Sequence, residues 1–300
     1  MAQKKNWLQV RAEYTVASAL VLGLRALPLP AATRFGFAAA RVLDLAVPKL
    51  RKTALRNLEL AFPEMDAAGR TRIADGVFRS VGRLLLALAR FPALNAVNVS
   101  QLVRYEGLEH YQKAKKNGCG VLIATAHLGN WELSAFAHAL LTEPMNAMVR
   151  PLDNPLIDLL VEERRTLSGN RLIYKKDAAR LVLKALKQNE AVGILVDQNT
   201  ALAEGVFVDF FGIAACANAG FVKLAYRAQA TVIPGFLLWD ETSKSYVLRF
   251  YPAVELSGDA QVDTQRIHTQ LEQVVRQYPD QWMWIHRRWK TRPPGEEPIY

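Results

Sequence analysis

Cysteine is nearly absent from this chain of 300 residues: Cys119 and Cys216 are the only two. Two thiols make neither a metal set nor a disulfide framework, and their scarcity suits a reducing compartment. Long apolar runs are also missing. Arg11, Glu13 and Arg25 interrupt the stretch from Trp7 to Leu29, and the uninterrupted part, Tyr14 to Leu24, is too short for the hydrocarbon core of a bilayer. No clear small-residue cleavage site follows it, so a secretory signal is not expected. There is no internal repeat, no low-complexity tract and no nucleic-acid module signature.

What is present is a hydrophobic fraction of 51% and a net charge of +10. The first is enough for a sizeable core with apolar surface left over. The second points to an anionic partner: a phospholipid surface, an acidic carrier protein or nucleic acid. Without a recognisable module, nucleic acid is the least favoured of the three. Near the N-terminus, Trp7 and Tyr14 with Lys4, Lys5 and Arg11 suit an amphipathic or re-entrant helix lying at a lipid interface. The alternatives are an ordinary buried helix or, as a weaker version, a single tilted span.

Residues 1–95 read as helices punctuated by Pro28, Pro30, Pro48, Pro63 and Pro92. From Leu102 the texture changes to short apolar runs alternating with helical stretches. That alternation predicts an α/β fold with a mixed, largely parallel central sheet flanked by helices over residues 96–300. Ligand-binding groups of such sheets gather beyond the carboxyl ends of the strands. His127, Arg150 and Asp197 each follow a predicted strand by a few residues, bringing a base, a cation and a carboxylate to one edge.

The most informative run is Ile123 to Glu132, in which His127-Leu-Gly-Asn-Trp-Glu132 joins a strand to a helix. A neutral imidazole there can take a proton from a hydroxyl, and a carboxylate can orient the ring. No nearby serine or cysteine has the character of a nucleophile elbow. Direct attack by a substrate hydroxyl on a bound acyl group is the simplest chemistry. By itself the spacing fits a loop histidine and a helix-capping glutamate equally well. Arg150, in Val149-Arg-Pro-Leu-Asp-Asn-Pro155, offers forked donors for phosphate or an acyl thioester, while Asp153 and Asn154 can cap the next helix. Asp197, in Val196-Asp-Gln-Asn199, can hold an arginine or the imidazole, or cap a turn. Val206 to Gly212 can line an acyl groove or join the core. Gln281 to Pro293 interleaves three tryptophans with Arg287, Arg288, Lys290 and Arg292, which suits an interfacial patch on anionic lipid or a stacking surface for nucleic acid.

Together these residues resemble the bacterial late acyltransferases of lipid A biosynthesis, within the glycerol-phosphate acyltransferase-like superfamily. The resemblance spans most of the chain. It rests on Lys52-x3-Arg56-Asn57-Leu58, His127-x4-Glu132, Arg150-Pro151-x-Asp153-Asn154-Pro155, Arg165-x3-Gly169, Asp197-Gln198, Val206 to Gly212, and His286 to Pro293. It implies an N-terminal helical, membrane-associated region (1–95) ahead of an acyltransferase core (96–300), at the cytoplasmic face of the inner membrane. The implied reaction moves a fatty acyl chain from acyl carrier protein to a hydroxyl of a lipid A precursor. His127 is the implied general base and Glu132 its partner; Arg150, Asn154, Arg165, Asp197 and Gln198 are the implied substrate-binding residues. Neither metal nor organic cofactor is implied. The expected partners are acyl carrier protein, an anionic glycolipid and membrane phospholipid, with no nucleic acid. Acylation of another glycolipid or aminolipid, or a non-catalytic membrane scaffold, are the competing expectations.

Overall fold

The computed structural model describes residues 6–174 and 177–300. Lys4 and Lys5, expected near lipid phosphates, lie outside the described residues. The N-terminal part is helical: α1 (Trp7–Ala26), α2 (Leu29–Ala46), α3 (Pro48–Ala61) and α4 (Ala67–Arg90). Local chemistry sets these boundaries. Pro30 sits in the first turn of α2 and Pro48 opens α3, where a missing N–H costs nothing. The Asp66 carboxylate accepts the Gly69 N–H at 2.6 Å and so caps α4. Helices α2 and α4 cross where two glycines meet: a Cβ on Gly82 would stand 2.9 Å from the Gly36 carbonyl oxygen. Among the described residues no helix is long and apolar enough to cross a membrane.

A short helix, α5 (Ala96–Leu102), leads into the α/β part through a reciprocal cap made by Asn95 and Asn98. The chain then alternates: β1 (Val103–Glu106), α6 (Leu108–Lys116), β2 (Val121–Thr125), α7 (Trp131–Leu141), β3 (Asn146–Val149), α8 (Pro155–Thr166), β4 (Arg171–Tyr174), α9 (Ala178–Lys187) and β5 (Ala191–Leu195). A hairpin follows, β6 (Gly205–Phe210) with β7 (Ile213–Asn218). After it come α10 (Gly220–Ala228), β8 (Thr231–Asp240), β9 (Ser245–Phe250) and α11 (Ala260–Gln277). Seven strands form one sheet in the order β1-β9-β8-β2-β5-β3-β4. Every neighbouring pair is parallel except β8 with β9. The expectation of a mixed, largely parallel sheet flanked by helices is met. Strands β2 and β5 are buried nearly throughout, as their continuous apolar runs require of strands covered on both faces.

The C-terminal segment differs from its expected place. Trp282, Trp284 and Trp289 are all at most 2% exposed and belong to a core cluster with Phe210, Phe211 and Leu271. They are packing residues, not a surface patch for lipid or bases. Arg288 is buried among them, its guanidinium over the Phe210 ring and its Nη1 donating to the Cys216 carbonyl at 2.7 Å. From α3, Asn57 Nδ2 donates to the carbonyls of Trp284 and His286 at 2.6 and 2.7 Å. Asn57 of the Lys52-x3-Arg56-Asn57 motif therefore clasps the C-terminal segment to α3.

Candidate active site

The site follows from strand register. Thr125 at the end of β2 lies opposite Leu195 at the end of β5, and the Val196 N–H donates to the Thr125 carbonyl at 2.9 Å. Each chain then runs two residues further, to His127 and to Asp197. The imidazole Nδ1 is 2.9 Å from Asp197 Oδ1. An ionised carboxylate only accepts, so Nδ1 carries the hydrogen and Nε2 keeps its lone pair. The other oxygen of Asp197 accepts the His127 backbone N–H at 3.0 Å and the Trp282 Nε1–H at 2.8 Å. Asp197 is thus buried with every side of its charge hydrogen-bonded, which is what a buried carboxylate requires.

The turn after His127 depends on Gly129, at φ +65°. A Cβ there would lie 1.9 Å from the Leu237 carbonyl oxygen, so only glycine lets the turn press against β8. The C-terminal segment runs beside it: the Gly129 N–H donates to the Gln281 carbonyl and the Met283 N–H to the His127 carbonyl, both at 2.9 Å. Asn130 caps α7, accepting the Leu133 N–H. Trp131 places its ring edge-on to the imidazole at 5.0 Å.

Glu132, expected to partner the imidazole, is held by Arg165 instead. The guanidinium donates to both carboxylate oxygens, Nε to Oε2 at 2.8 Å and Nη2 to Oε1 at 2.5 Å. The ring nitrogen points across the sheet edge to the end of β5, whereas Glu132, in the first turn of α7, faces a cavity lined on its other side by Arg165 of α8. Glu132 still acts on the imidazole through its charge. Burial disfavours the imidazolium, but the charge and hydrogen bond of Asp197, with Glu132 adding to them, raise the His127 pKa above its ordinary value. Burial likewise opposes ionisation of Asp197, yet His127 and Trp282 hold its carboxyl below the usual range. A base at this position works only as the neutral ring, so activity that depends on it would fall as pH drops through the His127 pKa. The acidic limb of a kcat/KM–pH profile is expected to lie above about 6.5; a midpoint at or below that value would contradict the pairing.

The remaining expected site residues fall in different places. Gln198 reaches the imidazole, its Nε2 lying 3.4 Å from His127 Nε2. Arg150 is 77% exposed on the loop after β3, with its nearest acid, Asp153, at 3.6 Å. Asn154 is buried, accepts the N–H groups of Leu156 and Ile157 as the cap of α8, and donates to the Val10 carbonyl and to Glu13 at 2.9 Å each. It ties α1 to α8 and is turned away from the imidazole. His286 accepts the Asn199 N–H at 3.1 Å and braces the loop behind Asp197.

An apolar cavity opens beside this constellation. Glu132, Arg165, Trp131, Thr125, Leu195 and Val149 line it toward the carboxyl ends of the strands, and Ile123, Gly193 and Met145 deeper in. Of the two expectations for Val206 to Gly212, acyl groove or core, the second holds: the segment does not line this cavity, and Val206, Val208, Phe210 and Phe211 pack in the core from the hairpin. The sequence reading missed Trp282, the cavity glycine Gly193 and Met145. Gly193 left a signal, a glycine inside an otherwise aliphatic strand; Trp282, 85 positions from Asp197, left none.

The bacterial lipid A biosynthesis acyltransferase family model matches residues 2–291. The chain belongs to that family. It is 30% identical over 273 residues to the lipid A biosynthesis lauroyltransferase of Escherichia coli, covering 90% of this chain and 88% of that one. It is 28% identical over 251 residues to a lipid A biosynthesis acyltransferase of Haemophilus influenzae, covering 83% and 78%. With the Escherichia coli myristoyltransferase it shares 27% identity over 248 residues, covering 82% and 77%. Family membership gives the reaction type, acyl transfer.

Proposed function

We propose that the protein transfers a fatty acyl chain from acyl carrier protein to a hydroxyl of a lipid A precursor, with His127 as general base. The observation that carries this reading is the His127 ring, tethered through Nδ1 to Asp197, with Nε2 met by the Gln198 amide at 3.4 Å, beside Trp131, which lines an apolar cavity. The acceptor hydroxyl gives its proton to Nε2 as its oxygen attacks the thioester carbonyl carbon. The tetrahedral oxyanion then collapses, the C–S bond breaks and the imidazolium returns its proton to the departing thiolate. Asp197 orients the ring and stabilises the imidazolium. Arg165, anchored by Glu132 at the cavity mouth, supports the developing oxyanion. The apolar cavity takes the donor chain, and the basic surface suits both an acidic carrier and a phosphorylated glycolipid.

The decisive assay supplies purified protein with acyl carrier protein thioesters and a tetraacylated lipid A precursor. Mass spectrometry is expected to find one added acyl ester; a product only with another glycolipid, or only with a different acyl donor, would reject this assignment.

Attachment to the cytoplasmic face of the inner membrane belongs to the same proposal. It is supported by the exposed apolar side chains Leu8, Val16 and Leu22 on α1 and Val42 and Leu45 on α2, with Arg11 stacked over Trp7 at 5.2 Å. The double substitution Leu22→Asp, Leu45→Asp is expected to weaken co-sedimentation with anionic phospholipid vesicles at least about tenfold, since each aspartate both removes apolar contact and adds like charge. Unchanged partitioning would remove this face from the contact.

A further inference from the structure

The far end of the cavity carries a histidine. Trp131, Ser134, Ala135 and His138 follow one another on a single face of α7 and all line the cavity. Seven residues of helix separate the mouth at Trp131 from His138, about 10 Å at the rise of an α-helix. At that depth the wall is made by Met145, Phe136 and Phe250 beside Asn170, whose amide accepts the Met145 N–H and donates to the Ala135 carbonyl, both at 2.9 Å. His138 is 1% exposed. Its Nδ1 is 2.9 Å from the Tyr105 hydroxyl, which also lies 3.1 Å from Thr142 Oγ1. Its Nε2 has no hydrogen-bond partner among the described residues. Tyr111 and Phe250 meet the ring edge-on at 4.6 and 5.5 Å and fix its plane.

The charged and titratable groups around it are satisfied without that nitrogen. Tyr111 donates to Glu143 at 2.7 Å, and Lys115 donates to the other oxygen of Glu143 at 3.0 Å. Burial pushes the His138 pKa down to about 4, so the ring is neutral. Tyr105 can donate to Nδ1 or accept from it, and Nε2 is then an N–H donor or a bare acceptor. A hydroxyl-type oxygen suits either case because it both donates and accepts. Leaving such a nitrogen unpaired against hydrocarbon is unfavourable.

We propose that His138 is a specificity-determining residue whose Nε2 holds a hydroxyl-type oxygen at the floor of the acyl cavity. The oxygen belongs either to a hydroxyl near the tail of the donor chain or to an ordered water on which an unsubstituted chain ends. This rests on the reading that the cavity receives the donor's chain, and it adds what decides which chain fits.

The test compares kcat/KM for saturated acyl carrier protein thioesters of graded length and for the same chains bearing a terminal hydroxyl. Wild type, His138→Leu, His138→Gln and Gly193→Ala are assayed together. If the oxygen comes from the chain, wild type uses the hydroxylated donor at least as well as the plain one, and His138→Leu loses that ratio by about tenfold or more. If it is a water, wild type prefers the plain chain, and His138→Leu moves its optimum to a longer one. In both cases His138→Gln, which keeps a polar terminus, stays closer to wild type than Leu does. Length and hydroxyl profiles of His138→Leu that match wild type would overturn the proposal. Gly193→Ala separates that failure from failure of the underlying reading: its Cβ would stand 2.7 Å from Met145 Cε and push that flexible side chain into the cavity. A shorter optimum there with a silent His138→Leu overturns the polar floor alone. An unchanged optimum in both removes the chain from this cavity altogether.

Discussion

Replacing Asp197 by Asn is expected to lower kcat by about 10³-fold or more, close to the loss from His127→Ala, while the protein stays folded. In the proposed mechanism the two residues act as a unit. His127 without Asp197 still has a ring, but an asparagine amide can turn its NH₂ toward Nδ1. That forces the ring hydrogen onto Nε2, where the acceptor hydroxyl must be deprotonated. The amide oxygen can still take the His127 and Trp282 N–H groups that Asp197 now accepts, so folding is largely spared. A second readout separates this from general damage. Asp197 is what lifts the His127 pKa against the effect of burial. Without it burial dominates, and the acidic limb of whatever activity survives should move to lower pH. Residual activity with the limb where wild type has it would mean that Asp197 merely props up the loop. A double variant no worse than either single one would show the expected non-additivity of a catalytic unit.

How much of this was legible beforehand depends on distance along the chain. Both sides of the strand-to-helix turn could be read locally, because the apolar run ending at Ala124, the His127-Leu-Gly-Asn turn and the helical stretch from Trp131 lie close together in the chain. The alternation after Leu102 predicted the parallel sheet, and a parallel sheet places His127 and Asp197 on one edge. The pairing itself needed register: only because Thr125 faces Leu195 do the residues two places on come within bonding distance. Sequence spacing instead favoured Glu132, five positions away, since closeness in the chain is easily mistaken for closeness at the ring. The C-terminal tryptophans misled for a related reason. Interleaved with arginines they have the composition of an interfacial patch, and nothing local reveals that Asn57, 227 positions upstream of Trp284, holds the segment inside. Arg150 and Asn154 illustrate the reverse case, where a motif marks a helix entry and a tether to α1 at least as well as a binding site.

The Glu132–Arg165 pair gives the second large effect, and it distinguishes stability from catalysis. Its side chains are only 10% and 20% exposed, and the contact is bidentate. Removing one partner strands a charge in a poorly hydrated place. Glu132→Gln or Arg165→Met should therefore each destabilise the fold by about 3 kcal/mol, discounted from the fully buried case for the residual exposure. A calorimetric or denaturant midpoint would register that loss. Arg165→Met carries a further penalty, because an unpaired Glu132 raises the His127 pKa further and shifts the acidic limb to still higher pH. In the double variant Glu132→Gln, Arg165→Met no charge is stranded, so stability should return to within about 1 kcal/mol of wild type, as replacing both members of a buried pair often allows. Turnover should not return with it: without a guanidinium at the cavity mouth the tetrahedral oxyanion loses a donor, a loss of about 10²-fold. Recovery of rate together with stability would reduce the pair to a brace between α7 and α8. Recovery of stability alone would leave Glu132 acting through the arginine it positions, with the imidazole answering to Asp197.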